Sequence, residues 1–239
     1  MIKIITISTF IALLAPAGFA LTPLKDTFSK TSLDSSRWES ERGGRGKFGL
    51  SRGRLQYTAS RPTTDDDYAL IALRNNRPRY NESWQVIVDA VNKVGKGDEA
   101  GVGIFIANAA DLDDNVILEF YGSASNGGFN FIQTTNGKDD PSQDIRVNPL
   151  VQQGSMRISF SQKTKRFTFW YDSTGPADGY QWTRLCTFSP TGKGGDRRAN
   201  WRMRSTSGRF VVGLTGYSIG PVVGRGRATL DNFVLKAAK

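Results

Sequence analysis

The chain has 239 residues and a formal charge of +10, from 32 Lys and Arg against 22 Asp and Glu, and it contains no histidine. The absence of histidine excludes Ser-His-Asp and Cys-His nucleophilic centres and imidazole metal sites. The single cysteine, Cys186, excludes an intramolecular disulfide and stands in an apolar run where a thiol packs as a small hydrophobe. A positive balance of this size favours acidic partners.

The first 20 residues have the pattern of a secretory signal peptide. Lys3 precedes an apolar run at 4–14, and small residues follow up to Ala20, where we expect cleavage. The run is much shorter than the ~20 residues of a membrane-spanning helix, and no later run is apolar enough to span. We therefore expect residues 21–239 to form a single exported domain that is secreted, periplasmic or on the cell surface.

Beyond residue 21 the sequence consists of short runs rich in Val, Ile, Phe, Tyr and Trp, separated by clusters of Gly, Asn, Asp and Pro. This pattern is typical of strands and turns. Eleven such runs predict an all-β sandwich of antiparallel strands. They lie at 53–59, 68–73, 83–91, 101–107, 115–122, 127–134, 155–162, 166–172, 181–188, 209–218 and 227–235.

Alternation within two of these runs predicts which side chains face the core. Met156, Ile158 and Phe160 are apolar and alternate with polar residues that include Arg157. In the following run, Trp170 stands on the polar side of the predicted strand, where burial does not require an indole. An exposed indole can stack on a sugar ring, although packing beneath a loop is an equally good interpretation.

Three segments resemble the concanavalin A-like lectin/glucanase superfamily, which includes laminin G-like domains. They are KDTFSKTSLDSSRWE at 25–39, GRLQYTA at 53–59 and GRATLDNFVL at 226–235. The resemblance implies a jelly-roll of two curved antiparallel sheets. It also implies that sugars bind across the concave sheet or at its rim.

The catalytic motif of laminarinase-type members of this superfamily, Glu-x-Asp-x-Glu on one strand, is missing from the sequence. Glu39 and Glu41 have a two-residue spacing, but their polar, glycine-flanked segment predicts solvated side chains. A lyase-like alternative remains open, in which Arg157 neutralises a uronate and Tyr121 transfers the proton. We interpret the chain as a binding module rather than an enzyme.

The candidate carbohydrate-binding residues combine an aromatic ring with polar and charged neighbours. We expect Trp170, Tyr121, Glu119 and Arg157 to form one site on the concave sheet, with stacking from the rings and hydrogen bonds from the polar groups.

The resemblance also implies a structural calcium ion between the chain ends. Asp26 and Asp231 occupy the two places where glucanases of this superfamily hold that ion. The alternative is that both carboxylates cap strands or turns, since a calcium site also needs carbonyl oxygens.

A basic segment surrounds Trp201 near the C-terminus, with arginines at 197, 198, 202, 204 and 209. Its guanidinium groups could clamp acidic ligands, but a surface loop that Trp201 anchors to the core is the simpler interpretation. Nucleic acid would suit the same residues, but export argues against that partner.

These observations together predict a secreted, non-catalytic carbohydrate-binding module whose partner is an acidic polysaccharide. Two alternatives stay open. One is a polysaccharide lyase or glycoside hydrolase with an unrecognised active site. The other is an envelope or adhesion protein without sugar specificity.

Overall fold

The computed structural model of the chain describes residues 21–60, 67–94, 99–122, 127–203, 208–219 and 223–238. The predicted signal peptide lies outside these residues. Within the described ranges, no helix has the length and apolar character needed to cross a membrane.

The described residues form 17 strands and two single-turn 3-10 helices, at Pro141–Gln143 and Pro176–Asp178. The strands are β1 (Leu24–Asp26), β2 (Trp38–Gly43), β3 (Gly46–Ser51), β4 (Arg54–Ala59), β5 (Asp67–Leu73), β6 (Trp84–Asn92), β7 (Glu99–Asn108), β8 (Asp111–Gly122), β9 (Gly128–Thr135), β10 (Lys138–Asp139), β11 (Ile145–Val147), β12 (Gln153–Ser161), β13 (Arg166–Asp172), β14 (Thr183–Ser189), β15 (Arg197–Arg198), β16 (Phe210–Ile219) and β17 (Val223–Ala237).

The strands build two sheets that pack face to face. Sheet A has the order β15-β14-β13-β12-β6-β17-β4-β3, with β1 also paired to β17. Sheet B has the order β10-β9-β8-β7-β16-β5-β2, with β11 also paired to β9. All pairings are antiparallel except that of β14 with β15. The predicted all-β sandwich is confirmed, and each of the eleven predicted runs contains a strand.

The core between the sheets is filled by the apolar positions of the alternating pattern. Met156, Ile158 and Phe160 of β12 are buried there, as the sequence predicts. Rings dominate the packing: the centroid of Phe160 lies 4.9 Å from that of Phe167 and 5.0 Å from that of Phe210. Because the core takes every second residue, the intervening side chains lie on the two outer faces of the sandwich.

Strands β2 and β3 arise from a polar, glycine-rich segment that the apolar pattern does not mark. Glu39 and Glu41 lie on β2 and face away from the core. The Arg77 guanidinium is 3.5 Å from Glu39, and the Tyr68 hydroxyl donates a hydrogen bond of 3.3 Å to Glu41. The prediction that these two carboxylates are solvated is therefore wrong, because they are partly buried and have partners; burial raises the pKa of Glu41.

Candidate ligand-binding site

Polar side chains cross the outer face of sheet A in a continuous row. Thr168 of β13 lies opposite Ser159 of β12, Ser159 opposite Gln85 of β6, and Gln85 opposite Lys236 of β17. In the next row, Arg157 lies opposite Trp170. The strand register thus brings an amide, two hydroxyls and two cationic side chains together from four strands.

All of these residues except Trp170 line a cavity of about 510 Å³, which we call the basic groove. Its described lining includes four hydroxyl-bearing residues, one amide and two cations, and none of these described residues carries a carboxylate. The lining residues are Ser83, Gln85, Arg157, Ser159, Phe160, Ser161, Thr168, Lys236, Ala237 and Ala238. The groove therefore offers hydrogen bonds together with an unopposed positive charge.

The Arg157 guanidinium is held between two indole rings at the edge of this groove. Its central carbon lies 4.6 Å from the ring centroid of Trp170 and 4.6 Å from that of Trp182. Tyr180 extends the stack, with its ring 4.9 Å from Trp182 and inclined by 17°. We call these four side chains the aromatic stack. Cation–π contacts on both faces fix the guanidinium plane and leave only its edge for a ligand.

Hydrogen bonds fix both ends of the aromatic stack. The Trp170 indole donates to Ser159 at 3.3 Å, and the Tyr180 hydroxyl donates to Asp89 at 3.3 Å. Burial and the neighbouring Asp89 raise the pKa of Tyr180 to about 12, so its hydroxyl keeps the donated proton at neutral pH.

A β-bulge explains why Trp182 reaches Arg157. Along β13 and β14, Phe169 lies opposite Cys186, but the next residue, Trp170, lies opposite Arg184. Leu185 is the extra residue on β14, and one extra residue reverses the alternation of the strand beyond it. Trp182 is thereby directed to the same outer face as Arg157.

The guanidinium of Arg157 retains unused hydrogen-bonding capacity. Its Nε atom is buried and has no hydrogen-bond partner among the described residues. Burial lowers the pKa of Arg157, but a guanidinium stays protonated in proteins. An unpaired buried donor is costly to the folded state.

A second polar cluster lies on the outer face of sheet B. Glu119 of β8 stands opposite Asn130 of β9, and Asn130 stands opposite Arg146 of β11. The Asn130 amide donates to Glu119 at 3.0 Å, and the Tyr217 hydroxyl donates to the same carboxyl oxygen at 3.3 Å. We call Glu119, Asn130 and the neighbouring Tyr121, Asp144, Arg146 and Tyr217 the Glu119 cluster.

Burial dominates the electrostatics of this cluster. Glu119 is only 2 % exposed, and burial raises its pKa to about 7 despite hydrogen bonds from Asn130 and Tyr217 and the positive charge of Arg146. Burial likewise raises the pKa of the half-buried Asp144 to about 6. The Arg146 guanidinium lies 5.6 Å from the Tyr121 ring centroid, and the Tyr121 hydroxyl donates to Asn148.

Several solved structures share this two-sheet arrangement. Lectin II from Ulex europaeus aligns with a TM-score of 0.58 and 13% identity over 91% of this chain and 99% of the lectin. A β-glucanase from Bacillus licheniformis aligns with a TM-score of 0.52 and 13% identity over 91% of this chain and 98% of the glucanase. The fold is the concanavalin A-like jelly-roll. The predicted resemblance is confirmed at the level of fold.

The carbohydrate recognition domain of Emp46p, in its potassium-bound form, is another neighbour of this jelly-roll. Its TM-score is 0.51 at 8% identity, over 84% of this chain and 88% of that domain. No protein-family model and no curated protein sequence matches the chain. At such low identities the likeness concerns the fold and not the chemistry of the sites.

The jelly-roll divides the four predicted carbohydrate-binding residues between its two sheets. Arg157 and Trp170 meet on sheet A. Glu119 and Tyr121 lie on sheet B, where they alternate with the core residues Leu118 and Phe120. The two pairs are on opposite sides of the sandwich, so the four residues do not form the single site that the sequence predicts.

This separation also corrects the lyase-like alternative, because Arg157 and Tyr121 cannot act on one substrate from opposite faces. Glu119 and Glu41 do share a row across sheet B, but four strand spacings separate them. At ~4.8 Å per strand that is roughly 19 Å. Glycosidase carboxylate pairs are about 5–9.5 Å apart, so these two do not fit that reaction.

The two aspartates predicted to hold calcium are occupied by hydrogen-bond donors. Asp26 accepts from the Phe28 amide at 2.8 Å and from the Trp38 indole at 2.9 Å. Asp231 accepts from the Asn232 amide at 2.7 Å and lies 3.8 Å from the Arg54 guanidinium. Among the described residues, no group of three or more acidic or thiol side chains is arranged to hold a metal ion. These surroundings do not fit calcium.

Trp201 and its basic segment match the simpler of their two interpretations. Trp201 is 1 % exposed, and its ring centroid lies 5.2 Å from that of Phe188. Arg197 donates to the Gln143 carbonyl at 2.6 Å. The arginine at 204 lies outside the described residues. The described part of the segment is therefore anchored to the core through the indole.

Among the aromatic and charged members of the basic groove and its aromatic stack, three are not predicted from the sequence, namely Tyr180, Trp182 and Lys236. Tyr180 and Trp182 are two residues apart, which is a signal for two rings on one face of an extended segment. Lys236 carries no such signal, because only strand pairing brings it opposite Gln85.

Proposed function

We propose that the protein is an exported, non-catalytic carbohydrate-binding module, and that it binds an acidic polysaccharide in the basic groove of sheet A. The observation that carries this proposal is the lining of the groove. Arg157 and Lys236 supply positive charge, hydroxyl and amide groups supply hydrogen bonds, and no side chain in the described lining is a carboxylate. Arginine is well suited to carboxylate and sulfate because its fork of N–H groups can donate two hydrogen bonds at once.

Stacking is the second component of the proposed interaction. Trp182 is partly exposed and the outermost ring, Tyr180, is 41% exposed. Sugar rings have apolar faces that pack on such rings, while their hydroxyls bond to polar neighbours. Lectins and a carbohydrate recognition domain among the structural neighbours support a saccharide as the ligand class.

A binding screen with paired variants tests this proposal. Wild-type protein is titrated with soluble acidic polysaccharides, both uronate-rich and sulfated, and with neutral ones. We expect retention by the acidic polymers, and we expect Arg157→Ala to weaken it by about 10- to 100-fold, since hydrogen bonds to charged groups contribute about 1.5–3 kcal/mol. Lys236→Ala weakens it less, because an exposed lysine acts as a solvated point charge.

Matched controls separate the groove from the overall charge. Arg42 and Lys138 are exposed and belong to sheet B. Arg42→Ala and Lys138→Ala remove the same charges as the two groove variants and are expected to leave retention nearly unchanged. Equal losses in both sets would replace the groove with nonspecific attraction. If no polysaccharide is retained, the protein is better described as an envelope or adhesion protein.

Export is part of the proposal and rests on the first 20 residues of the sequence. Mass spectrometry of protein recovered from outside the cytoplasm should give a chain that begins at Leu21. A mature chain that retains Lys3 contradicts the proposed cleavage.

Glycoside hydrolysis or elimination remains the second candidate, favoured by the raised pKa of Glu119, since a carboxyl group that titrates near neutrality suits general acid–base catalysis. The wide separation from Glu41 argues against a carboxylate pair. Incubation with each polymer, followed by assays for reducing ends and unsaturated uronate, decides the matter. Turnover that Glu119→Gln abolishes would establish an enzyme.

A calcium ion between Asp26 and Asp231 is retained only as a hypothesis to be tested. Its support is the position of the two aspartates in the sequence, and the hydrogen-bond donors around both carboxylates argue against it.

A further inference from the structure

Two buried oxygen atoms of the Glu119 cluster have no hydrogen-bond donor among the described residues. Glu119 Oε1 accepts from the Asn130 amide at 3.0 Å. The remaining oxygens of the pair, Glu119 Oε2 and Asn130 Oδ1, are buried and have no hydrogen-bond partner among the described residues. Both are acceptors when the carboxyl is ionised, so neither can satisfy the other. Buried acceptors without donors are rare, because each costs about 1–3 kcal/mol.

We propose that Glu119 and Asn130 form a buried proton-binding site, in which a proton on Glu119 Oε2 is donated to Asn130 Oδ1. The amide N–H of Asn130 already bonds to the other carboxyl oxygen. A single proton therefore closes a two-bond ring between an acid and an amide and satisfies both unpaired atoms. The registry of β8 and β9 places the two side chains directly opposite each other, as this ring requires.

The groups around the pair are consistent with a bound proton. Tyr217 reaches Glu119 from β16, and Tyr121 comes from β8 itself; burial raises the pKa of Tyr121, so its hydroxyl stays neutral at physiological pH. Arg146 and Asp144, from β11 and the residue before it, contribute opposite charges that partly cancel at the carboxyl. On the neighbouring strand β7, the residues beside the pair are glycines, at 101 and 103, and no ammonium or guanidinium group of the described residues of that strand reaches the pair.

Burial is the first cause of the pKa of about 7 at Glu119, against an ordinary value of 4.5. A raised folded-state pKa means that the native state binds a proton which the unfolded chain releases between about pH 4.5 and 7. The stabilisation is complete below pH 4.5 and is lost as the pH rises to about 7. Above that value both states are ionised, and the stability no longer changes through this group.

The variant Glu119→Gln tests the site without disturbing its shape. Glutamine has an N–H where the protonated acid has its O–H, so it can form the same two-bond ring with Asn130 at every pH. We expect the ratio of the wild-type to the variant folding equilibrium constant to fall by about two to three powers of ten between pH 4.5 and 8. The measurement is urea denaturation of both proteins at a series of pH values.

Glu41→Gln is the control for the general effect of removing a carboxylate from the same face of sheet B. Glu41 is partly buried and hydrogen-bonded to Tyr68, and no amide side chain of the described residues pairs with it. We expect its stability ratio to change much less over this pH range. A ratio for Glu119→Gln that stays constant with pH overturns the proposal, because an ionised Glu119 has no proton to release.

Infrared difference spectroscopy gives a readout that a merely structural role would not move. At pH 5.5 the wild-type protein should show the C=O stretch of a buried, hydrogen-bonded carboxylic acid, and Glu119→Gln should lack that band. In Asn130→Leu the band should move to higher frequency, because the acid loses its amide partner. A band that is absent from wild-type protein, or unmoved in Asn130→Leu, contradicts the acid–amide ring.

Discussion

The two outer faces of the sandwich handle their charged groups in opposite ways. On sheet A, Arg157 is held between two indole rings, keeps its charge, and lines an open groove. On sheet B, Glu119 is 2 % exposed, and burial raises its pKa to about 7. The outer face of sheet A thus keeps a charged guanidinium beside a groove, whereas the outer face of sheet B buries a carboxyl group and favours its neutral form.

The difference follows from the intrinsic chemistry of the two groups. A guanidinium has a pKa above 12 and disperses its charge over a plane, so aromatic rings can bury its faces without neutralising it. A carboxyl group has an ordinary pKa near 4. The desolvation that burial imposes raises this pKa, so a buried carboxyl group takes up a proton and loses its charge. The effect of burial on the charge of a side chain therefore depends on the chemistry of the buried group and on its ordinary pKa.

The largest effect is expected from crowding the Glu119 cluster. A Cβ at Gly101 would lie 2.4 Å from the Tyr217 ring and 3.0 Å from Glu119 Oε2. Gly101→Ala forces both side chains to move, and overpacking of this kind costs about 1–3 kcal/mol in the free energy of unfolding. Gly49→Ala in β3 of sheet A is the control, since nothing lies within 4 Å of its Cβ. Equal stabilities of the two variants would mean that the cluster is not tightly packed.

The aromatic stack should respond differently to salt than the cations do. Trp170→Ala removes one face of the cation–π contact and is expected to weaken polysaccharide binding by about 1 kcal/mol at both low and high salt. Lys236→Ala is expected to weaken binding at low salt only, because the Debye length falls below ~10 Å above 0.1 M. Isothermal titration at two ionic strengths measures both. Identical salt responses would remove the distinction between stacking and charge.

Ionisation of Asp144 is expected to destabilise the folded state in the same way as ionisation of Glu119, but by less. Its pKa is raised by burial to about 6 from 3.8, so ionisation destabilises the folded state as the pH rises through this range. Asp144→Asn should therefore gain stability relative to wild type from about pH 4 to 6, and less than Glu119→Gln gains because Asp144 is only half buried. Urea denaturation at pH 4 and pH 7 measures the gain. A larger gain in stability for Asp144→Asn than for Glu119→Gln would contradict the expectation that the more deeply buried carboxyl group has the larger effect.

The smallest effect is expected at the chain ends. Because donors occupy both oxygens of Asp26 and surround Asp231, chelator and excess calcium should give the same melting temperature. A bound ion at a hundred times its dissociation constant would instead add about 2.7 kcal/mol. A melting temperature that rises with calcium would establish the ion that the sequence resemblance implies.

The alternation of apolar and polar residues predicts the positions of many strands and which of their side chains face the core. The period of two identifies β12 and β13, and it assigns Arg157 and Trp170 to outer faces from the sequence alone. It fails for β2 and β3, whose residues 38–51 are polar and rich in glycine. These strands form because β5 and β4 supply hydrogen-bonding partners, which a local pattern does not reveal.

The sites were less predictable, because they depend on which strands are neighbours. Alternation states that Glu119 and Arg157 both face outward, but the direction "outward" is opposite for the two sheets. Only the strand order assigns β8 to sheet B and β12 to sheet A. The pairing of Lys236 with Gln85 joins residues 151 positions apart in the sequence, and no local pattern encodes it.

The bulge at Leu185 shifts by one residue which side chains of β14 lie on the outer face of sheet A. If the same residues paired without the bulge, strict alternation would place Trp182 on the face of Cys186 and turn it toward the interior, while Cys186 and Phe188 would keep their places in the core. Deletion of Leu185 would instead leave Arg184 opposite Trp170 and Thr183 opposite Tyr171, so Trp182 would stay on the outer face. A shift of one residue in the pairing of β14 is therefore enough to form or remove the aromatic stack without a change in the core of the jelly-roll.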